Sequence, residues 1–174
     1  MARLLQIVQL GHPVLRKRAS AVEDVRGGAT QSLIDDMLAT MEDASGVGIA
    51  APQVYESVRI MIVSSYPSIR YPHAPRMAPI PIVNPEIVWA SEEVEKGWEG
   101  CLSIPGIRGL VPRNKRIKVK FVTREGKVGE REFADFVARV FQHEIDHLNG
   151  IVFTDRLETP LDMITEKEYM KIVS

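Results

Sequence analysis

His143-Glu144-Ile145-Asp146-His147 decides how this chain is read. The pattern is H-E-x-x-H. On a helix, residues four apart share a face, so His143 and His147 stand side by side and both imidazoles can reach one metal ion. Glu144 then lies beside the ion, placed to take a proton from water. The flanking sequence supplies the helix. Apolar residues fall at Phe136, Val137, Val140 and Phe141, continue at Ile145 and Leu148, and end at the stop signal Asn149-Gly150.

Two histidines on a helix are also an ordinary surface feature, so the metal reading depends on a third ligand. The downstream acids Asp155, Glu158, Glu166 and Glu168 fall in no recognisable ligand signature. Upstream stands Cys101, the chain's one cysteine, in Glu99-Gly100-Cys101-Leu102-Ser103. A lone cysteine excludes an intrachain disulfide and points to a reducing compartment. Gly97, Gly100, Pro105 and Gly106 around it read as loop backbone that can approach a ligand closely. Cys101, His143 and His147 give one thiolate and two imidazoles. Three protein ligands leave a fourth position open, the arrangement of a catalytic rather than a structural site. A further glycine-rich segment, Gly46-Val47-Gly48-Ile49-Ala50-Ala51-Pro52-Gln53, lacks the spacing of phosphate and dinucleotide loops. Its small residues suit close approach to a substrate, and Gln53 offers an amide donor to a developing oxyanion.

Together the three motifs resemble the peptide deformylase family, which carries G-x-G-x-A-A-x-Q, E-G-C-x-S and H-E-x-D-H in that order. Here they stand at Gly46 to Gln53, Glu99 to Ser103 and His143 to His147. Gly11 to Arg16, Ile104 to Gly109 and Gln142 match as well, so the resemblance spans roughly residues 5–157. It implies an α+β fold, with antiparallel or mixed sheets around a central metal-bearing helix in a single domain over residues 1–174. The implied substrate is an N-formylmethionyl nascent peptide, from which formate is released, with the ribosome as a further partner. Iron as Fe²⁺ is the implied ion, one per chain, with zinc or nickel able to substitute. The resemblance also implies that Glu144 moves the proton and that Gln53 and the Leu102 backbone N–H hold the oxyanion. Backbone near Val47 and Gly48 would hold the peptide extended, and Arg108 would reach a peptide carbonyl. Two departures stand out. Asp135 occupies a position where many members have glycine, and residues 66–81 read as a longer loop than compact members have.

Composition agrees with one globular domain. At 174 residues the chain can bury a substantial core without disulfides. A net charge of −1 argues against DNA as a partner. No apolar run is long enough to span a membrane and the N-terminus has no signal-peptide core, so the expected location is the cytoplasm or an organelle. Residues 30–45 read as a helix with Thr30 as N-cap, and 58–63 and 82–89 as strands, the second interrupted by Pro85. Residues 116–123 and 128–133 read as a hairpin, 151–153 as a short strand, and 161–174 as a C-terminal helix or tail with Leu161, Ile164, Tyr169 and Ile172 on one side.

Several residues receive narrower readings. Glu99 would be costly to bury alone, and Arg113 is its candidate partner, bracing the Cys101 segment. Asp146 points off the ligand face. His12 and His73 read as loop residues, Trp89 and Trp98 as packing residues. Val47, the segment near Ile49, and Val140 are candidates for a side-chain pocket. Two other functions remain open at this point. One is an endopeptidase of the zincin type, resting on HEIDH and a downstream acid; the other is a binding module whose metal only holds the fold.

Overall fold

The computed structural model describes residues 2–173. After a 3-10 turn at Pro13–Arg16 comes helix α1, Gly28–Asp43, then strands β1, Gly48–Ala50, and β2, Ile60–Ser65. Strands β3, Met77–Ala90, β4, Val94–Cys101, β5, Ile104–Asn114, β6, Arg116–Val122, and β7, Val128–Ala134, lead into helix α2, Asp135–Leu148. The chain closes with strand β8, Met163–Thr165, and helix α3, Glu166–Val173. An antiparallel sheet runs in the order β1-β2-β3-β6-β7, and a smaller one in the order β4-β5-β8. This is the α+β arrangement that the motifs imply.

α2 is the helix expected from the apolar periodicity, and it is buried on nearly every side. Ala138, Phe141, Ile145 and Leu148 pack onto Ala50, Met61, Val63, Ile117 and Val119 of the large sheet. Removing a Phe or Ile side chain of this kind from water contributes about 1.5–3 kcal/mol. Arg139, His143 and Asp146, spaced four and three apart, face β4 and β5 instead, where polar partners meet them. The helix opens at Asp135 with φ of 49°. That is the left-handed region where glycine is usual and Asp is one of the few tolerated alternatives. The departure at this position therefore keeps the turn. α1 packs a second cluster, Ile34, Met37 and Met41, against Ile49, Ile60 and Ile62.

The structure differs from the sequence reading in several places. α1 begins earlier, with Gly27 as N-cap, and the Thr30 hydroxyl donates to the Asp24 carbonyl instead of capping. Residues 82–89 are the second half of a much longer strand, so the expected 66–81 loop ends at residue 76. Pro85 is tolerated because the register shifts between Val83 and Glu86, where Asn84 has φ of 48° and its side chain bonds Val22. The segment read as loop around Cys101 is a β-hairpin of β4 and β5 with Leu102-Ser103 as its two-residue turn. Residues 151–153 form no strand; a 3-10 turn at Phe153–Arg156 follows. The C-terminal segment is a 3-10 turn, a strand and a short helix, with Leu161 exposed and Tyr169 buried. Trp89 is 44% exposed beneath Lys118 rather than packed in a core.

Candidate functional site

The β4–β5 turn brings Cys101 up to α2. Its Sγ lies 3.3 Å from His147 Nε2, and ligand atoms of Cys101, His143 and His147 all fall within 4.8 Å of one another. A metal about 2.3 Å from sulfur and about 2.0–2.1 Å from nitrogen in tetrahedral geometry separates those atoms by roughly 3.5 Å. The three side chains therefore fit one ion. They are the only such group of His, Cys, Asp or Glu among the described residues.

The surroundings prepare the imidazoles. His143 Nδ1 donates to Glu99 Oε2 at 2.9 Å, which leaves Nε2 for the ion. Glu99 is gripped in turn by Arg113, whose Nε and Nη2 meet the two carboxylate oxygens at 2.9 and 3.0 Å, and by Arg139 at 3.0 Å. Burial alone would raise the Glu99 carboxyl; Arg113 and the His143 hydrogen bond hold it well below the usual carboxylate range. Arg113 also reaches Asp146 at 2.6 Å, and Arg156 completes the chain at 2.7 Å. The Glu99–Arg113 pairing appears as the sequence suggests. The bond from Glu99 to His143 has no local sequence signal, because the two residues are 44 positions apart. Burial alone would lower the His143 pKa, but Cys101 and Glu99 raise it well above its ordinary value. The Cys101 and Glu99 groups that favour a proton here would equally favour a metal cation in its place, with the imidazole then neutral. His147 is buried and pushed well below its ordinary value, neutral as a ligand must be.

Gln53 lies in a 3-10 turn, Ala51–Val54, directly after β1. Its Oε1 accepts from the Ala50 N–H at 2.9 Å, which fixes which end of the amide faces the site. Nε2 then donates to Ser103 Oγ at 3.2 Å and approaches Cys101 Sγ at 3.5 Å. Leu102 follows Cys101 at the tip of the turn and lines the same cavity. Glu144 is buried, and its Oε2 has no hydrogen-bond partner among the described residues. Burial raises its carboxyl to about 7 against the pull of His143 and Arg113. That value is close to the one a proton-shuttling base needs at neutral pH.

The cavity above these groups is lined by Val47, Gly48, Leu102, Ile104, Phe136 and Val140, so two of the three candidate pocket segments are present. Ile49 is not among its walls, because it turns into the α1 cluster. Trp98, Tyr71, Arg139 and Glu166 are walls that sequence reasoning missed. Arg108 reaches the cavity too, but it is 5% exposed and held by Tyr71 and Glu166. β1 is the outer strand of its sheet, and although Gln53 takes the Ala50 N–H, the edge at Gly48 pairs with no other strand among the described residues and can meet an extended chain.

None of the downstream acids joins the ligand group, and each is held in an ion pair. Asp155 pairs with Arg16, Glu158 with Lys96, Glu166 with Arg70 and Glu168 with Lys171. This removes the third ligand that the zincin reading requires.

Comparison with known proteins points the same way. The sequence model of one family, described as polypeptide deformylase, matches residues 4–162. A Nostoc protein named peptide deformylase 2 is 54% identical over 171 residues, covering 98% of this chain and 96% of its own. A Met-Ala-Ser-bound class I type b peptide deformylase from Acinetobacter baumannii superposes with a TM-score of 0.88 at 46% identity, covering 90% of this chain and all of that one. The Thermotoga maritima peptide deformylase gives 0.81 at 39% identity, covering 90% and 99%.

Proposed function

The chain belongs to the polypeptide deformylase family, and from that premise we infer that it hydrolyses the formyl group from the N-terminal N-formylmethionine of newly made polypeptides, releasing formate. It is a metal-dependent hydrolase. The observation that carries this reading is the joining of an outer strand edge, a cavity with apolar walls at Val47, Leu102, Phe136 and Val140, and the Cys-His-His group around one buried, unpartnered carboxylate oxygen.

Cys101, His143 and His147 would hold the ion, which would supply Lewis acidity to the formyl oxygen and to water near neutral pH. Every other step belongs to the protein. Backbone at Val47 and Gly48, where β1 begins, pairs with the peptide in extended form. Val47, Leu102, Phe136 and Val140 offer apolar surface to the methionine side chain, which is flexible and polarizable. Glu144 accepts a proton from the attacking water and returns it to the leaving amine, so the C–N bond breaks to give formate and a free N-terminus. The Gln53 amide and the Leu102 backbone N–H donate to the oxyanion; removing one such donor typically costs about 100- to 1,000-fold in rate. Arg108 donates to a peptide carbonyl further along. The native ion in this reading is Fe²⁺, supported by the family resemblance and by a mixed sulfur and nitrogen donor set, with zinc or nickel able to replace it. The enzyme works in the cytoplasm on chains emerging from the ribosome.

The test compares three substrates with anaerobically prepared protein. We expect rapid formate release from formyl-Met-Ala-Ser and slow hydrolysis of acetyl-Met-Ala-Ser. One extra methyl group at the acyl carbon crowds Gly48 and misplaces the carbonyl, which can cost on the order of 100-fold. Unformylated peptides should not be cut internally. Equal rates on the formyl and acetyl peptides would refute the pocket argument, and internal cleavage would restore the endopeptidase reading.

Gly48 gives a second test. A Cβ there would overlap the Glu144 carboxylate and lie 2.8 Å from its Cδ. Gly48→Ala should therefore displace the base and lower kcat by about 100-fold, with the circular dichroism spectrum and metal content retained. A fully active alanine variant would mean that Glu144 need not stand where it does.

A further inference from the structure

Arg108 is more constrained than a residue that merely touches substrate needs to be. Its guanidinium lies over Gly100, where any Cβ would overlap it. It lies near two aromatic rings, with Cζ 5.5 Å from the Tyr71 centroid and 5.2 Å from that of Tyr169. Nη1 donates to the Tyr71 hydroxyl at 2.7 Å and Nη2 to Glu166 Oε1 at 3.3 Å. The same Glu166 oxygen accepts from Arg70 Nε at 2.8 Å, and the Tyr169 hydroxyl donates to the Arg70 carbonyl at 2.6 Å. Tyr71 rests on Phe136 of α2 with ring centroids 4.8 Å apart, and Tyr169 on Trp98 of β4 at 5.9 Å. The parts that grip Arg108 come from the loop at residues 66–76 and from α3, two segments that the chemistry above does not use.

A guanidinium carries five N–H donors, and Tyr71 and Glu166 engage one on each terminal nitrogen. Arg108 lines the cavity, so donors of a fixed guanidinium are left at its wall. With one arm on Tyr71 and the other on Glu166, the two-pronged grip that suits a carboxylate is already engaged, and a single N–H contact suits a carbonyl oxygen.

We propose that Glu166 and Tyr71 are positioning residues: they hold Arg108 so that its guanidinium, at the cavity wall, meets the main-chain carbonyl of the residue after methionine. α3 and the 66–76 loop thereby become part of the site that distinguishes a polypeptide from a single formylated methionine. This rests on the deformylase reading and on Arg108 binding peptide, and it adds what sets that contact.

Metal-loaded wild type, Glu166→Gln and Tyr71→Phe are compared on formyl-Met-Ala-Ser and on formyl-methioninamide, which lacks the second residue. Glu166→Gln removes the charge with little change of volume, and Tyr71→Phe keeps the ring but loses the hydroxyl. Each variant should raise KM for the tripeptide about tenfold, the scale of one hydrogen bond to a charged group, with kcat changed less than about twofold. Hydrolysis of the amide should be unchanged, so the preference for the tripeptide falls by the same tenfold. Variants that lower both substrates alike, or neither, overturn the proposal while leaving the activity assignment intact. Wild-type protein that hydrolyses neither substrate overturns the activity assignment, and the proposal with it.

Discussion

Glu144→Gln should leave a folded, metal-bearing protein that releases almost no formate. The substitution keeps the size of the side chain but cannot accept a proton. General acid–base catalysis by a positioned group contributes about 100- to 10,000-fold, and here one group is asked to act in both directions, so the upper end of that range applies. Glu99, the carboxylate bonded to His143, does not stand ready to replace it, because it is committed to Arg113, Arg139 and His143. Stability should not suffer in the metal-free protein. The folded-state carboxyl is raised to about 7 from 4.5 by burial, so its charged form opposes folding above the unfolded value. A neutral amide removes that penalty, and the melting temperature of the metal-free variant should hold or rise at pH 7.5. Formate release is followed alongside metal content. Substantial turnover by the Gln variant would show that another group moves the proton.

How much of this site could be read from the sequence depends on how local each signal is. α2 was legible because its apolar stripe, its histidine spacing and its Asn149-Gly150 stop are all encoded within a few turns. The β6–β7 hairpin was legible from its alternation of buried and exposed residues. β4 and β5 were not. Val94–Cys101 and Ile104–Asn114 carry four glycines and two prolines between them, and the part around Cys101 reads as loop. The glycine at 100 is there because the Arg108 guanidinium occupies the space of a side chain. Such a residue looks like a turn former until the distant group that demands it is known. The same holds for Glu99 on His143 and for Glu166 on Arg108, pairs 44 and 58 positions apart. Sequence order placed the ligands, and packing between the two sheets placed the groups that orient them.

Cys101→Ala should cost the protein both its metal and its activity, and it separates a catalytic centre from a pair of helix histidines. Without the thiolate, His143 and His147 remain as a two-nitrogen site, which lacks both the third ligand and the negative charge that offsets the ion. Folding of the metal-free chain should be little affected. Cys101 is half-buried at the end of β4, and the turn is held by backbone pairing of Cys101 with Ile104 and by the Leu10 N–H bonded to the Ser103 carbonyl. The thermal shift on adding metal therefore becomes the readout. A ligand at 100 times its Kd stabilises the native state by about 2.7 kcal/mol, which for a domain of this size raises Tm by roughly 5–11 °C. Wild type should show that rise and retain about one ion per chain after gel filtration, and the alanine variant should show neither. A Cys101→Ala protein that keeps a stoichiometric ion and releases formate normally would remove Cys101 from the ligand set and, with it, the reason for joining β4 to the metal helix.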